Sequence, residues 1–189
     1  MQQRNQELHA QRIALAIKQN LNQVEDGKSY PSIGPDDAKV KIVNFYDYKC
    51  GYCHDMAKIN QEIIHNNPDI QFIFRDFPIL GEASEHLSRF AIAVYEVKPE
   101  LYTQVHFALL GAKKVSNEQL KLLAEQIGIN YSELTTVMAG EQVTKKLKAT
   151  RSLAEEIGVL GTPAMVINGE LIKGGISQEA LQAKINQAK

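Results

Sequence analysis

The chain has 189 residues, with 21 basic against 22 acidic side chains, a net charge of −1 and no run of like charge. That balance excludes a nucleic-acid surface or a polybasic membrane patch as its organising feature. A chain of this length buries roughly 70% of the surface its unfolded form exposes, so it needs no disulfide for stability.

The length suits one domain carrying an insertion. No apolar run approaches the roughly eighteen residues of a membrane span. The opening Met1-Gln2-Gln3-Arg4-Asn5-Gln6-Glu7 lacks the apolar core of an export signal, so the chain is either cytosolic or in processed form. Residues 4 to 25 read as one helix, with Ala10, Ile13, Ile17, Leu21 and Val24 as a narrow apolar stripe. Such a helix lies across its own domain or pairs with a second copy of itself. Residues 28 to 39, punctuated by Pro31, Gly34 and Pro35, show no regular pattern.

Val40 to Tyr46 is a β-rich run without clean alternation, as a strand covered on both faces requires. From Cys50 to Asn66 the period turns helical, with Met56, Ile59, Ile63 and Ile64 on one face, and Asn67-Pro68-Asp69 stops it. Ile70, Phe72 and Phe74 then alternate along a second strand that closes at Pro78. Strand, helix, strand is a βαβ unit, with parallel strands and a right-handed crossover.

Residues 83 to 157 keep a helical period almost throughout. Ser116-x-x-Gln119 reads as a capping box and Asn130-x-x-Glu133 as another cap, and the last long helix runs from Gly140 to Gly158. Ala164 to Ile167 and Glu170 to Lys173 flank Asn168-Gly169, a hairpin signal, because both turn residues tolerate positive φ. Ser177 caps a final helix, with Ile176 placed to staple Leu181. The expected division is an N-terminal helix (1–28), an α/β unit (29–82 and 158–189) and an inserted all-helical subdomain (83–157).

Cys50 and Cys53 are the only cysteines and lie too close to staple a fold. Four readings fit that spacing: a dithiol redox centre, half of a zinc site, a c-type haem attachment completed by His54, or an inert pair. A structural zinc site needs four ligands, and haem attachment wants a small helical pocket rather than a central strand, so the redox reading leads. Cys50 falls where the strand meets the first turn of the helix, where unpaired N–H groups and the helix dipole stabilise a thiolate. This predicts Cys50 as the exposed nucleophile and Cys53, one turn on and facing inward, as the resolving thiol. Lys49 and His54 add positive charge that Asp47 partly offsets. His9, His65, His86 and His106 read as surface or cap residues, Asp76 as a structural hydrogen-bonding group, and Tyr52 as a substrate contact.

Val43-x-Phe45-Tyr46-Asp47-Tyr48-x-Cys50-Gly51-Tyr52-Cys53, Phe74-Arg75-Asp76-Phe77-Pro78-Ile79 and Gly161-Thr162-Pro163-Ala164 together resemble the bacterial DsbA-like thiol:disulfide interchange proteins. The resemblance covers about residues 30 to 188. It implies an α/β thioredoxin-like fold with an inserted helical subdomain, and a cis Pro163 packed against the cysteine pair. It also implies that Thr162 offers its backbone to a substrate peptide as an added strand. Gly51-Tyr52, with Thr162 before Pro163, is similar to the disulfide isomerases of the DsbC and DsbG type, which work as dimers joined through N-terminal segments. Asn44 departs from the pattern: it stands where such enzymes often carry a buried acid, and it cannot titrate.

The expectation is therefore a thiol-disulfide oxidoreductase acting on secreted proteins by isomerisation, oxidation or both. Cys50 and Cys53 would be catalytic, and Gly51, Tyr52, Thr162 and Pro163 would hold substrate. No metal or cofactor is expected. The expected partners are unfolded or misoxidised proteins and a membrane redox partner that recycles the cysteines, in the periplasm, with the export signal already removed. Residues 4 to 25 would join a homodimer or higher oligomer. The alternatives are a monomeric DsbA-like oxidase and a peptide-binding chaperone whose dithiol is only a sensor.

Overall fold

The computed structural model describes residues 2–112 and 114–189; Met1 and Lys113, which fall in the expected N-terminal and inserted segments, lie outside the described residues. β-Branched and aromatic residues make Lys41–Tyr46 and Gln71–Asp76 into the two central parallel strands, paired from Lys41 with Gln71 to Tyr46 with Asp76. Between them, Gly51–Asn66 forms the crossover helix, as the sequence predicts. Ala164–Ile167 pairs antiparallel with the first of these strands, and Glu170–Lys173 closes the hairpin at Asn168 and Gly169, both at positive φ.

A further strand, Ser32–Ile33, pairs antiparallel with Gln71–Asp76 in a segment expected to be irregular. Two residues are too short for a period, and only the partner strand defines them. With it included, the strands are β1 (Ser32–Ile33), β2 (Lys41–Tyr46), β3 (Gln71–Asp76), β4 (Ala164–Ile167) and β5 (Glu170–Lys173), in the sheet order β1-β3-β2-β4-β5. The helices are α1 (Gln2–Gln19), α2 (Leu21–Val24), α3 (Gly51–Asn66), α4 (Glu82–Val97), α5 (Tyr102–Gly111), α6 (Asn117–Gln126), α7 (Tyr131–Met138), α8 (Glu141–Glu156) and α9 (Gln178–Ala188). None of them is long and apolar enough to cross a membrane.

Both sheet faces are covered, so alternate residues of each central strand serve different cores. Ile42, Tyr46, Phe72, Phe74, Met165 and Ile167 pack with residues of α3, α4, α5 and α9. Val43, Phe45, Ile73 and Val166 point the other way, onto Ile17, Val24 and the end of α8 at Leu153, Ala154 and Ile157. The α8 helix thus begins among the inserted helices, where Val143 and Leu147 meet Ile92 of α4, and finishes on the sheet.

The single helix expected over residues 4 to 25 is broken at Asn20, whose side-chain amide donates to the Ala16 carbonyl at 3.0 Å and competes with the helical ladder. Ile17 and Val24 are fully buried on the sheet. Each contributes on the order of 2 kcal/mol by burial, which holds this segment against its own domain. The buried Arg75 adds a second tie. It donates to the carbonyls of Gln23 and Val24 at the end of α2, and its guanidinium lies 3.3 Å from the centre of the Tyr30 ring. Leu8, Leu15 and Leu21 remain exposed.

Candidate active site

The carboxyl end of β2 delivers the chain into Asp47-Tyr48-Lys49 and then into α3, with Cys50 as its N-cap. The backbone carbonyl of Cys50 accepts from the N–H groups of Cys53 (3.0 Å) and His54 (3.2 Å), which opens the helix and sets the two sulfurs on one turn. Both are free thiols. The Cys50 thiol donates to the carbonyl of Thr162 at 3.3 Å, and the Thr162–Pro163 peptide is cis.

Cys50 was expected to be exposed. It is only 7% exposed, because the Thr162 carbonyl and the loop leading into β4 close over it. Cys53 is buried beneath it. Burial pushes the Cys53 thiol well above its ordinary range, a backbone N–H at Asp47 opposes this, and the adjacent Cys50 thiol adds to the rise. Pro163 is buried and Thr162 half-buried beside the cysteines, whereas Gly51 and Tyr52 stand out in solvent on the first turn of α3. The structure therefore brings Cys50, Cys53, Thr162 and Pro163 together and leaves Gly51 and Tyr52 on the rim.

Asp47 is fully buried. One carboxylate oxygen accepts from the Lys49 N–H at 2.7 Å, and the other from the N–H groups of Ile79 (2.8 Å) and Leu80 (3.0 Å). The His54 ring Nε2 donates to the Tyr48 carbonyl at 2.8 Å and braces the same loop. On the segments that adjoin the thiols, four apolar side chains face solvent: Tyr52 (72% exposed), Ile79 and Leu80 beside Asp47, and Leu160 (82%), two residues before Thr162. The sequence reading missed Ile79, Leu80 and Leu160, because a single exposed apolar residue in a loop carries no pattern until the fold gathers several.

Below the loop lies a buried polar group. The Tyr46 hydroxyl donates to Asp76 at 2.6 Å, the Tyr102 hydroxyl reaches the same carboxylate oxygen at 3.3 Å, and the two hydroxyls touch each other. Burial pushes the Asp76 carboxyl up to about 7, against the lowering effect of these hydroxyls. His106, expected at the surface, is fully buried instead: its Nδ1 bonds the Tyr48 hydroxyl at 2.9 Å and its ring stacks on Tyr102. The α5 helix that carries it buries Tyr102, Val105, Leu109 and Leu110 as well, which leaves His106 no wet face. Burial pushes His106 down to about 3, so it is a neutral ring at working pH. Asn44 is also buried, with no partner for its Oδ1 among the described residues. It shares the β2 face of Tyr46, and the titratable acid on this side of the sheet is Asp76, on the neighbouring strand. Among the described residues, no group of three or more His, Cys, Asp or Glu side chains could hold a metal ion.

A family model described as a DSBA-like thioredoxin domain matches residues 41–186. The thiol-disulfide exchange protein alpha-DsbA2 from Wolbachia pipientis superposes with a TM-score of 0.89 at 30% identity, over 96% of this chain and 98% of its own. BcfH of Salmonella enterica Typhimurium superposes with a TM-score of 0.82 at 28% identity, over 99% of this chain and 84% of its own. The probable disulfide bond formation protein D of Bacillus anthracis is 24% identical over 153 residues, which span 74% of this chain and 70% of that relative.

Proposed function

The chain belongs to the family of DSBA-like thioredoxin domains and is a thiol-disulfide oxidoreductase, and from that premise we infer that Cys50 and Cys53 exchange disulfides with unfolded or misoxidised proteins in the periplasm. The observation that carries this reading is the Cys50 contact with Thr162, because it joins a thiol at the N-cap position of a helix to a second wall of the site. In the reducing direction the Cys50 thiolate attacks a substrate disulfide and one substrate sulfur leaves as a thiolate that takes up a proton. Cys53 then loses its proton and attacks Cys50, the second substrate sulfur leaves, and the protein holds the disulfide. Oxidation runs the same steps backwards. Electrons pass through the cysteine pair alone, and a membrane redox partner resets it. Thr162 and Pro163 align the substrate backbone, while Tyr52, Ile79, Leu80 and Leu160 take apolar side chains that only an unfolded protein presents.

The buried, proton-retaining Cys53 favours isomerisation. Resolution requires ionising a buried thiol, and burial disfavours its charged form, which slows resolution and leaves the mixed disulfide open to attack by a substrate's own thiols. A monomeric oxidase is the second reading, favoured by the docking of Ile17 and Val24 on their own sheet. Replacing Leu8 and Leu15 with serine in the full chain separates the two. A fall in mass by light scattering supports assembly through residues 4 to 25, and an unchanged monomeric mass supports the oxidase. The catalytic claim is tested by Cys50→Ala in refolding a scrambled multi-disulfide protein. Activity at the level of the uncatalysed reaction is expected. Retained activity would instead identify a peptide-binding chaperone whose dithiol only senses redox state.

A further inference from the structure

Asp47 lies between two loops and is hydrogen-bonded to both. On one side its carboxylate accepts the Lys49 N–H, next to the nucleophile; on the other it accepts the N–H groups of Ile79 and Leu80. The carboxylate is fully buried, and its acceptor sites are committed to three backbone donors from the two loops. The 77–80 segment has two further ties, from the Phe77 N–H to the Tyr46 carbonyl (2.9 Å) and from the Arg151 guanidinium to the Pro78 carbonyl (3.3 Å). Neither reaches the exposed pair at its tip. Asp47 alone among the described residues bonds the backbone N–H groups of Ile79 and Leu80.

We propose that Asp47 is a positioning residue for substrate selection: it fixes the Ile79-Leu80 wall relative to Cys50, so that an apolar residue flanking a substrate cysteine is held while its sulfur meets the nucleophile. This rests on the disulfide-exchange reading above. The chemistry predicts what a conservative change does. Asn at this position keeps the size but has one acceptor oxygen and a donor NH2, so it can serve the Lys49 side or the Ile79-Leu80 side, not both. The other loop is then faced with a donor against its own N–H and swings away.

The test compares Asp47→Asn with the parent protein on two disulfides. One is oxidised glutathione; the other is a decapeptide whose single cysteine, flanked by leucine and valine, is in mixed disulfide with glutathione. The expected result is a roughly tenfold fall in the ratio of kcat/KM for peptide over glutathione, arising in KM rather than kcat, since a misplacement of about 1 Å is enough to lose that much. Ile79→Ala with Leu80→Ala should lower the same ratio, and adding it to Asp47→Asn should lower it no further, because both changes remove one coupled interaction. Equal losses on both disulfides, additive losses, or an unchanged ratio overturn the proposal. If Asp47→Asn does not fold, hydrogen exchange on the parent protein decides: slow exchange at the Ile79 and Leu80 amides supports the tie, and exchange at the rate of an open loop overturns it. A parent protein inert towards both disulfides would instead overturn the exchange reading.

Discussion

The Cys50 thiol donates to the Thr162 carbonyl at 3.3 Å, although the two residues stand 112 positions apart. Cys50 is thus roofed by the cis Thr162–Pro163 segment, and on the reading proposed above a substrate that displaces this contact would already lie beside the backbone that aligns it.

Removing the resolving thiol should leave chemistry stalled on Cys50. Cys53→Ala is expected to accumulate covalent adducts with misoxidised proteins, seen on non-reducing gels and released by reductant. A Cys53→Ala protein free of adducts, beside a parent that turns over, would contradict the assigned order of attack.

The buried Asp76 makes stability depend on pH in a definite direction. Its carboxyl rises from an ordinary 3.8 to about 7 in the folded state, so the fold prefers the neutral acid. That preference is complete below the unfolded value and is lost as pH rises from there through about 7. Asp76→Asn keeps an oxygen for the Tyr46 and Tyr102 hydroxyls without the ionisation. Its urea midpoint should gain on the parent as pH rises from 3.8 through about 7; parallel midpoints would contradict this.

His106 acts in the opposite sense. Its folded value is pushed from 6.5 to about 3, so the fold prefers the neutral ring. The stability this provides is present above the unfolded value and is lost as pH falls from 6.5 towards 3. His106→Phe gives up the bond to Tyr48 but has no ring to protonate, so its thermal midpoint should fall less than the parent's on acidification.

Arg75 holds the N-terminal segment in place. Arg75→Met retains an apolar stem but leaves the carbonyls of Gln23 and Val24 without their donor. A cost of about 2–4 kcal/mol is expected. Trypsin should then cut at Arg12 and Lys18 before the rest of the chain, as local opening of this segment becomes easier than global unfolding. Unchanged cleavage order would show that Ile17 and Val24 suffice.

What was legible in the sequence was local. The βαβ unit, the Asn168-Gly169 hairpin and the Ser116 capping box each announce themselves within a few residues, and each is present. What was not legible depended on distant partners. The two-residue β1 exists only through β3, and the break at Asn20 comes from a side chain reaching back to Ala16. The polarity of His106 alone points to the surface, although its helix carries apolar residues around most of its circumference. Cys50 and Cys53 could be paired by spacing, but the cover over Cys50 needed Thr162. Asp47 showed only as a charge, since nothing in its neighbours reveals that two backbone donors arrive from residues 79 and 80.

The α8 helix starts among the inserted helices, finishes on the sheet, and runs within a few residues into Leu160 and the cis Thr162–Pro163 peptide. Its Arg151 also grips the loop of Ile79 and Leu80 through Pro78. The insertion is therefore no detachable module: a chimaera that exchanged residues 83 to 157 between relatives would import a foreign mounting for both walls of the active site.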